Sequence, residues 1–213
     1  MFVGERMSRP VISVSPEDPI NEVLAMFRNE HIRRAPVMKG GKLVGIVSDR
    51  DLLNASPSSA TTLSVWELNY LISKVKIKDV MTKKVITVNA DVPIEEAARI
   101  MADKKIGGLP VVSSDKVVGM ITETDLFKIL LELMGARQKA IRVTVTVPDR
   151  PGELAKITKA IANNGGDFIS FGIFSGPNTD SRVVTFKVQG MKKEKIREVL
   201  DDIVLKFWDI RQS

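Results

Sequence analysis

The chain has 213 residues, 44% hydrophobic and 27% charged. That balance suits one or two folded domains and argues against disorder. With no cysteine and one histidine, disulfides, thiolate clusters and His-rich metal sites are excluded, and a Ser-His-Asp triad has only His31 to use. The net charge is +6 with only 5% aromatics, too few to interleave a basic stripe for stacking bases, so a nucleic-acid-binding regulator is the alternative rather than the leading reading.

Met1 to Arg6 lacks the basic start and apolar run of a signal peptide, and no stretch reaches the ~18 apolar residues of a membrane helix. A cytoplasmic protein without membrane attachment is the expectation. From Met7 onward a repeat organises the chain. Met7-Ser8 returns as Met81-Thr82, 74 residues later, and the register holds without a gap. Val11-Ile12-Ser13-Val14 matches Val85-Ile86-Thr87-Val88, Pro36-Val37 matches Pro110-Val111, and Asp51-Leu52 matches Asp125-Leu126. Each copy is about 50 residues, too small to bury much surface alone, so the two are expected to pack into one globule.

The elements within a copy follow from its pattern. Val85–Val88 reads as a short strand. Asp91-Val92-Pro93 starts a helix with Ile94, Ala97, Ala98 and Met101 on one face. Leu109–Val112 and Val117–Thr122 are strands joined by the turn material Ser113–Lys116. A second helix begins near Glu123, giving β-α-β-β-α. Ser48 and Asp51, and Thr122 and Asp125, stand three apart at the last strand-to-helix junction. Such residues cap helices; they also suit the hydroxyls of a ribose or a phosphate.

The in-register copies, with Gly45-Ile46-Val47-Ser48-Asp49-Arg50-Asp51-Leu52 and Gly119-Met120-Ile121-Thr122-Glu123-Thr124-Asp125-Leu126, resemble a tandem pair of CBS domains, the cystathionine-β-synthase-type regulatory module. The resemblance implies binding of an adenosyl ligand (AMP, ADP, ATP or S-adenosylmethionine) in clefts between the copies. It assigns ribose and phosphate to Ser48, Asp51, Thr122 and Asp125, with Val11, Ile12, Val85 and Ile86 bordering the adenine. Arg33 and Arg34, which align with Gly107 and Gly108, suit charge-assisted bonds to a di- or triphosphate or else surface ion pairs. The glycines admit close approach of a ligand or a neighbouring helix. His31 reads as a helix-end residue.

Asn54 to Thr62 is loop by composition. Ser64–Ile72 reads as a helix carrying Trp66 and Tyr70 together, in the core or as a lid or dimer contact. The segment is similar to one in CBS proteins linked to acetoin utilisation. Beyond Lys139 the repeat stops. Residues 1–137 carry a net +2 and residues 138–213 a net +4, spread as on strand edges and solvated helix faces. Ile141–Val147 alternates as a strand, and Pro148–Gly152 turns. Glu153–Asn163 is a helix, Phe168–Phe174 and Arg182–Val188 are strands, Lys192–Leu205 a helix, and Phe207–Ile210 a last strand. This β-α-β-β-α-β order is ferredoxin-like.

With the turn Pro148-Asp149-Arg150-Pro151-Gly152-Glu153-Leu154, residues 140–211 resemble an ACT domain. The likeness implies a small-molecule, often amino-acid, effector site at Asp149, Arg150, Gly152, Glu153 and Leu154, or a dimer contact; a tight turn with a helix start explains the same residues. The fold class expected is α+β: CBS domain 1 over 1–56, a helical connector over 57–78, CBS domain 2 over 79–137 and an ACT domain over 138–213. Together the modules resemble acetoin-utilisation-type regulatory proteins. Expected, then, is a non-catalytic regulatory homodimer with an adenosyl ligand, no resident cofactor or metal, and an unidentified regulated partner. No general base has a nucleophile beside it, and no third domain remains for catalysis. A structural dimerisation module with unoccupied pockets is the remaining alternative.

Overall fold

The computed structural model of the protein describes residues 1–55 and 73–213. The helix expected over Ser64–Ile72, with Trp66 and Tyr70, lies outside the described residues. The chain divides into two compact units, Met1–Leu126 and Phe127–Ser213.

In the first unit the repeat begins earlier than Met7. A one-turn helix α1 (Val3–Arg6) precedes the first copy and its counterpart α4 (Ile77–Val80) precedes the second. Each has an acid at its third position: Phe2 N–H donates to Glu5 Oε2 at 2.6 Å, and Lys76 N–H to Asp79 Oδ2 at 3.0 Å. The first copy then contains α2 (Ile20–Asn29), β1 (Arg34–Lys39), β2 (Lys42–Ser48) and α3 (Asp49–Ala55). The second contains β3 (Val88–Asn89), α5 (Ile94–Lys104), β4 (Gly108–Ser113), β5 (Lys116–Thr122) and the start of α6 (Glu123–Leu133), a helix that continues past Leu126.

The middle hairpins are tight because their turns take positive φ at both central residues, as a two-residue hairpin loop needs. Gly40 and Gly41 do so between Lys39 and Lys42, and Ser114 and Asp115 between Ser113 and Lys116. His31 and Lys105, after α2 and at the end of α5, also share left-handed backbone, with φ of 53° and 54°. His31 is thus a helix-end residue.

The expected first strands are nearly absent. In the first copy only Val14 bridges, in parallel, to Val37; in the second only Val88 and Asn89 pair with β4. Val11-Ile12 and Val85-Ile86 lie outside the ladder. They are apolar and β-branched, but among the described residues no strand pairs with them, so β propensity alone does not make them strand.

The two cores are built by exchange. Val3, from ahead of the first copy, is buried with Ala97, Met101, Leu109, Val111 and Ile121 of the second. Ile77, from ahead of the second, is buried with Ile20, Val23, Phe27, Val37 and Val47 of the first. The backbone repeats this reciprocity. Val3 and Gly4 N–H donate to Val92 O and Ala90 O, while Ile77 and Lys78 N–H donate to Asp18 O and Pro16 O. Isolated bridges Ile46↔Thr82 and Ser8↔Met120 tie the copies a second time. There Met81 packs on Gly45 and Met7 on Gly119, with no room for a Cβ.

The second unit contains β6 (Ile141–Pro148), α7 (Glu153–Asn163), β7 (Asp167–Ser175), β8 (Ser181–Gln189), α8 (Lys193–Leu200) and β9 (Lys206–Gln212). Its antiparallel sheet has the order β7-β8-β6-β9, the ferredoxin-like arrangement. Val143, Val145 and Val147 alternate inward beside Val184, Phe186 and Val188, and Ile157, Ile161, Ile196 and Leu200 cover them. The last helix ends at Leu200 rather than Leu205. Leu200 is its final fully buried contact, and by Leu205 the chain has turned into the sheet, where Leu205 N–H donates to Thr146 O at 2.8 Å.

Candidate functional site

The polar notch forms where β2 meets α3. Asp51 Oδ2 accepts hydrogen bonds from Ser48 N–H at 2.8 Å and Ser48 Oγ at 2.7 Å, while Asp51 N–H donates to Ser48 Oγ at 3.3 Å. Where β5 meets α6, Thr122 N–H and Oγ1 donate to Asp125 Oδ2 at 3.0 and 2.7 Å. Both arrangements cap a helix. Capping occupies one carboxylate oxygen only; Oδ1 of Asp51 takes no part in it. The notches differ in exposure. Asp51 is half-buried, whereas Asp125 is 7% exposed.

The first notch opens into a cavity of about 580 Å³ in the first unit, within the range of small-molecule sites. Ser48 and Asp51 of the first copy line it together with Val85 and Ile86 of the second, and so do Arg33 and Arg34. Val85-Ile86 can reach it because that segment never joins the β-ladder; Ile86 is 39% exposed. Thr122, Asp125, Val11 and Ile12 do not line this cavity. The 74-residue register makes them the counterparts of the four residues Ser48, Asp51, Val85 and Ile86.

Arg34 lines the cavity and also spans the two copies. Its Nη1 donates to Gly107 O across the copies. A Cβ on Gly107 would stand 2.5 Å from Arg34 Nη2, and one on Gly108 2.9 Å from Arg34 Cδ. The two glycines thus leave room for the side chain of Arg34 and also line the cavity.

Arg50, Lys84 and Lys105 also line the cavity, and sequence reasoning missed them. A usable signal was their difference from the other copy, which has Thr124, Pro10 and His31 at those places. Five basic side chains thus face two acidic ones, Asp49 and Asp51. Arg33, Arg50, Lys84 and Lys105 have no salt bridge to an acid among the described residues.

In the second unit the five turn residues gather at the start of α7. Gly152, at φ 91°, is the N-cap, and nothing crowds the position of its missing Cβ. Glu153 is 3% exposed and accepts from Arg150 Nε at 2.6 Å and Lys156 Nζ at 3.0 Å. Those two hydrogen bonds, Arg150's first, hold its carboxyl below the usual carboxylate range. Asp149 pairs with Arg182 at 2.9 Å, and this raises the Arg182 guanidinium further. Leu154 packs against the core. The charged groups of this turn are thus satisfied within the chain.

The cleft of this twin α/β repeat combines a Ser-x-x-Asp notch of one copy with an apolar segment of the other, the arrangement of a paired domain module. The model of the CBS domain matches residues 3–58 and 77–132, more than half of the chain, and the protein belongs to that family. It is 41% identical over 120 residues to inosine-5′-monophosphate dehydrogenase of Korarchaeum cryptofilum, a match covering 56% of this chain and 22% of that enzyme. The chain therefore spans only about a fifth of that relative's length. Among solved structures, the CBS domain pair of protein MJ0100 in complex with 5′-methylthioadenosine and S-adenosyl-L-methionine matches 65% of this chain and 98% of its own. Its TM-score is 0.52 at 28% identity. A putative acetoin utilization protein from Vibrio cholerae matches 64% of this chain and 95% of its own, with a TM-score of 0.53 at 31% identity. No helix among the described residues is long and apolar enough to cross a membrane.

Proposed function

We propose that the protein is a non-catalytic regulatory sensor whose CBS pair binds an adenosyl ligand in the Ser48–Asp51 cleft. The observation that carries the reading is the meeting of that notch with Val85-Ile86 in one cavity of ligand size. Asp51 Oδ1, outside the helix cap, accepts the vicinal ribose hydroxyls, while Val85-Ile86 borders the adenine. The complex of the similar MJ0100 pair with two adenosyl compounds supports this. Thr122 and Asp125, with Val11 and Ile12, form the second such notch. Binding biases the arrangement of the two copies and, through it, a partner protein; typical couplings are ~1–3 kcal/mol.

The second unit is an ACT-type domain in this reading, supported by its sheet order and by the turn at Asp149–Leu154. It serves as a second effector site, for an amino acid or similar small molecule, or as the contact of a cytoplasmic homodimer. The order of modules is that of acetoin-utilisation-type regulators. The test is a thermal-shift panel of AMP, ADP, ATP, S-adenosylmethionine and amino acids, repeated with Asp51→Ala. An adenosyl compound raises the melting temperature of the native chain, since binding to the folded state stabilises by mass action. Asp51→Ala removes that rise. No shift with any adenosyl compound contradicts the reading.

A further inference from the structure

The cleft carries an excess of unpaired positive charge that holding a ribose and an adenine does not require. Arg33, Arg50, Lys84 and Lys105 converge on it from both copies, and none has a salt bridge to an acid among the described residues. Like charges focused in one concavity repel each other until an anion enters, and they draw anions in. The second notch lacks this set. At the positions corresponding to Arg33, Arg50, Lys84 and Lys105 the sequence has Gly107, Thr124, Pro10 and His31, and Asp125 there is 7% exposed. The duplication thus leaves two notches with the same Ser/Thr–Asp core, of which only the first carries the four basic side chains.

Resting on the adenosyl reading above, we infer that the Ser48–Asp51 cleft selects 5′-phosphorylated adenosine, whereas the Thr122–Asp125 notch has no such preference. A phosphate adds up to about two negative charges and strong acceptor oxygens, which arginine and lysine bind with charge-assisted bonds. Uncharged 5′-methylthioadenosine gains nothing from those cations, and S-adenosylmethionine brings its sulfonium against them. Because the four side chains are largely exposed, the attraction is screened by salt.

The experiment titrates the full chain by calorimetry with ADP, adenosine, 5′-methylthioadenosine and S-adenosylmethionine, at low (~50 mM) and high (~500 mM) salt. The variants are Arg50→Ala/Lys84→Ala, Asp51→Ala and Asp125→Ala. ADP is expected to bind at least about tenfold tighter than adenosine or methylthioadenosine at low salt, a gap of about 1.4 kcal/mol, and to lose most of that margin at high salt. Arg50→Ala/Lys84→Ala brings ADP down to the adenosine level while leaving adenosine binding intact. Asp51→Ala, not Asp125→Ala, removes the ADP-selective event. Equal binding of ADP and adenosine, a preference for S-adenosylmethionine at the Asp51 cleft, or loss of ADP binding only in Asp125→Ala overturns the inference and leaves the adenosyl reading standing. Absence of heat with all four compounds overturns the adenosyl reading itself, and the inference with it.

Discussion

The exchange of α1 and α4 makes a sharp prediction, because a substitution ahead of the first copy should damage the second. Val3 is fully buried beside Leu109, Val111 and Ile121. Val3→Ala removes two methyl-sized groups from a site with no exposure. Lost transfer free energy and the cavity left behind together cost roughly 2–3 kcal/mol. For a cooperative unit the size of Met1–Leu126, that lowers the melting temperature by roughly 8–15 °C. Ile77→Ala, also fully buried but among Ile20, Phe27 and Val47, costs roughly 2–5 kcal/mol. The assay is native-state hydrogen exchange read residue by residue, beside thermal unfolding. Val3→Ala should lower protection first in β4 and β5, and Ile77→Ala first in β1 and β2. If Val3→Ala loosens β1 and β2 while β4 and β5 keep their protection, the exchanged cores are wrong.

Two further outcomes concern the second unit. Glu153 has its carboxyl held low by Arg150 and Lys156, so its contribution to stability is present above the unfolded value near pH ~4.3. That contribution fades as pH falls through the lower folded value. Glu153→Gln should flatten that acid limb in pH-dependent thermal unfolding; an unchanged limb refutes the pairing. Lys187 is 6% exposed, and its Nζ donates to Gly135 O at 2.9 Å and Gln138 O at 3.1 Å. Lys187→Met leaves two carbonyls short of a donor and costs roughly 1–3 kcal/mol in denaturant titration; a neutral result contradicts that role.

The repeat was legible because its side chains mark backbone requirements that both copies share. Pro36 and Pro110 sit in matching strands, Gly45 and Gly119 each lie under a methionine, and Asp51 and Asp125 each cap a helix. The alternation of Ile141–Val147 announced the ferredoxin-like sheet for the same reason, since one face is buried. The exchanged helices were missed because one turn of four residues shows no periodicity. Only the offset of Val3 and Glu5 to Ile77 and Asp79 betrays them. The strands expected over Val11–Val14 and Val85–Val88 pair only at Val14 and Val88, because β propensity carries no information about a neighbouring strand to pair with. Arg34 illustrates a different limit. Its charge suggested a phosphate, and nothing local announced that it also donates to a backbone carbonyl 73 residues away. Lys84 and Lys105 went unnoticed because they enter the cleft from the copy opposite the notch.

The central claim is tested most directly by a crystal structure of the full chain grown with its tightest adenosyl ligand. The account places the ribose hydroxyls within hydrogen-bond distance, roughly 2.6–3.0 Å, of Asp51 Oδ1, with the adenine beside Val85 and Ile86. A ligand bound elsewhere, or one in this cleft with its sugar turned away from Asp51, contradicts it.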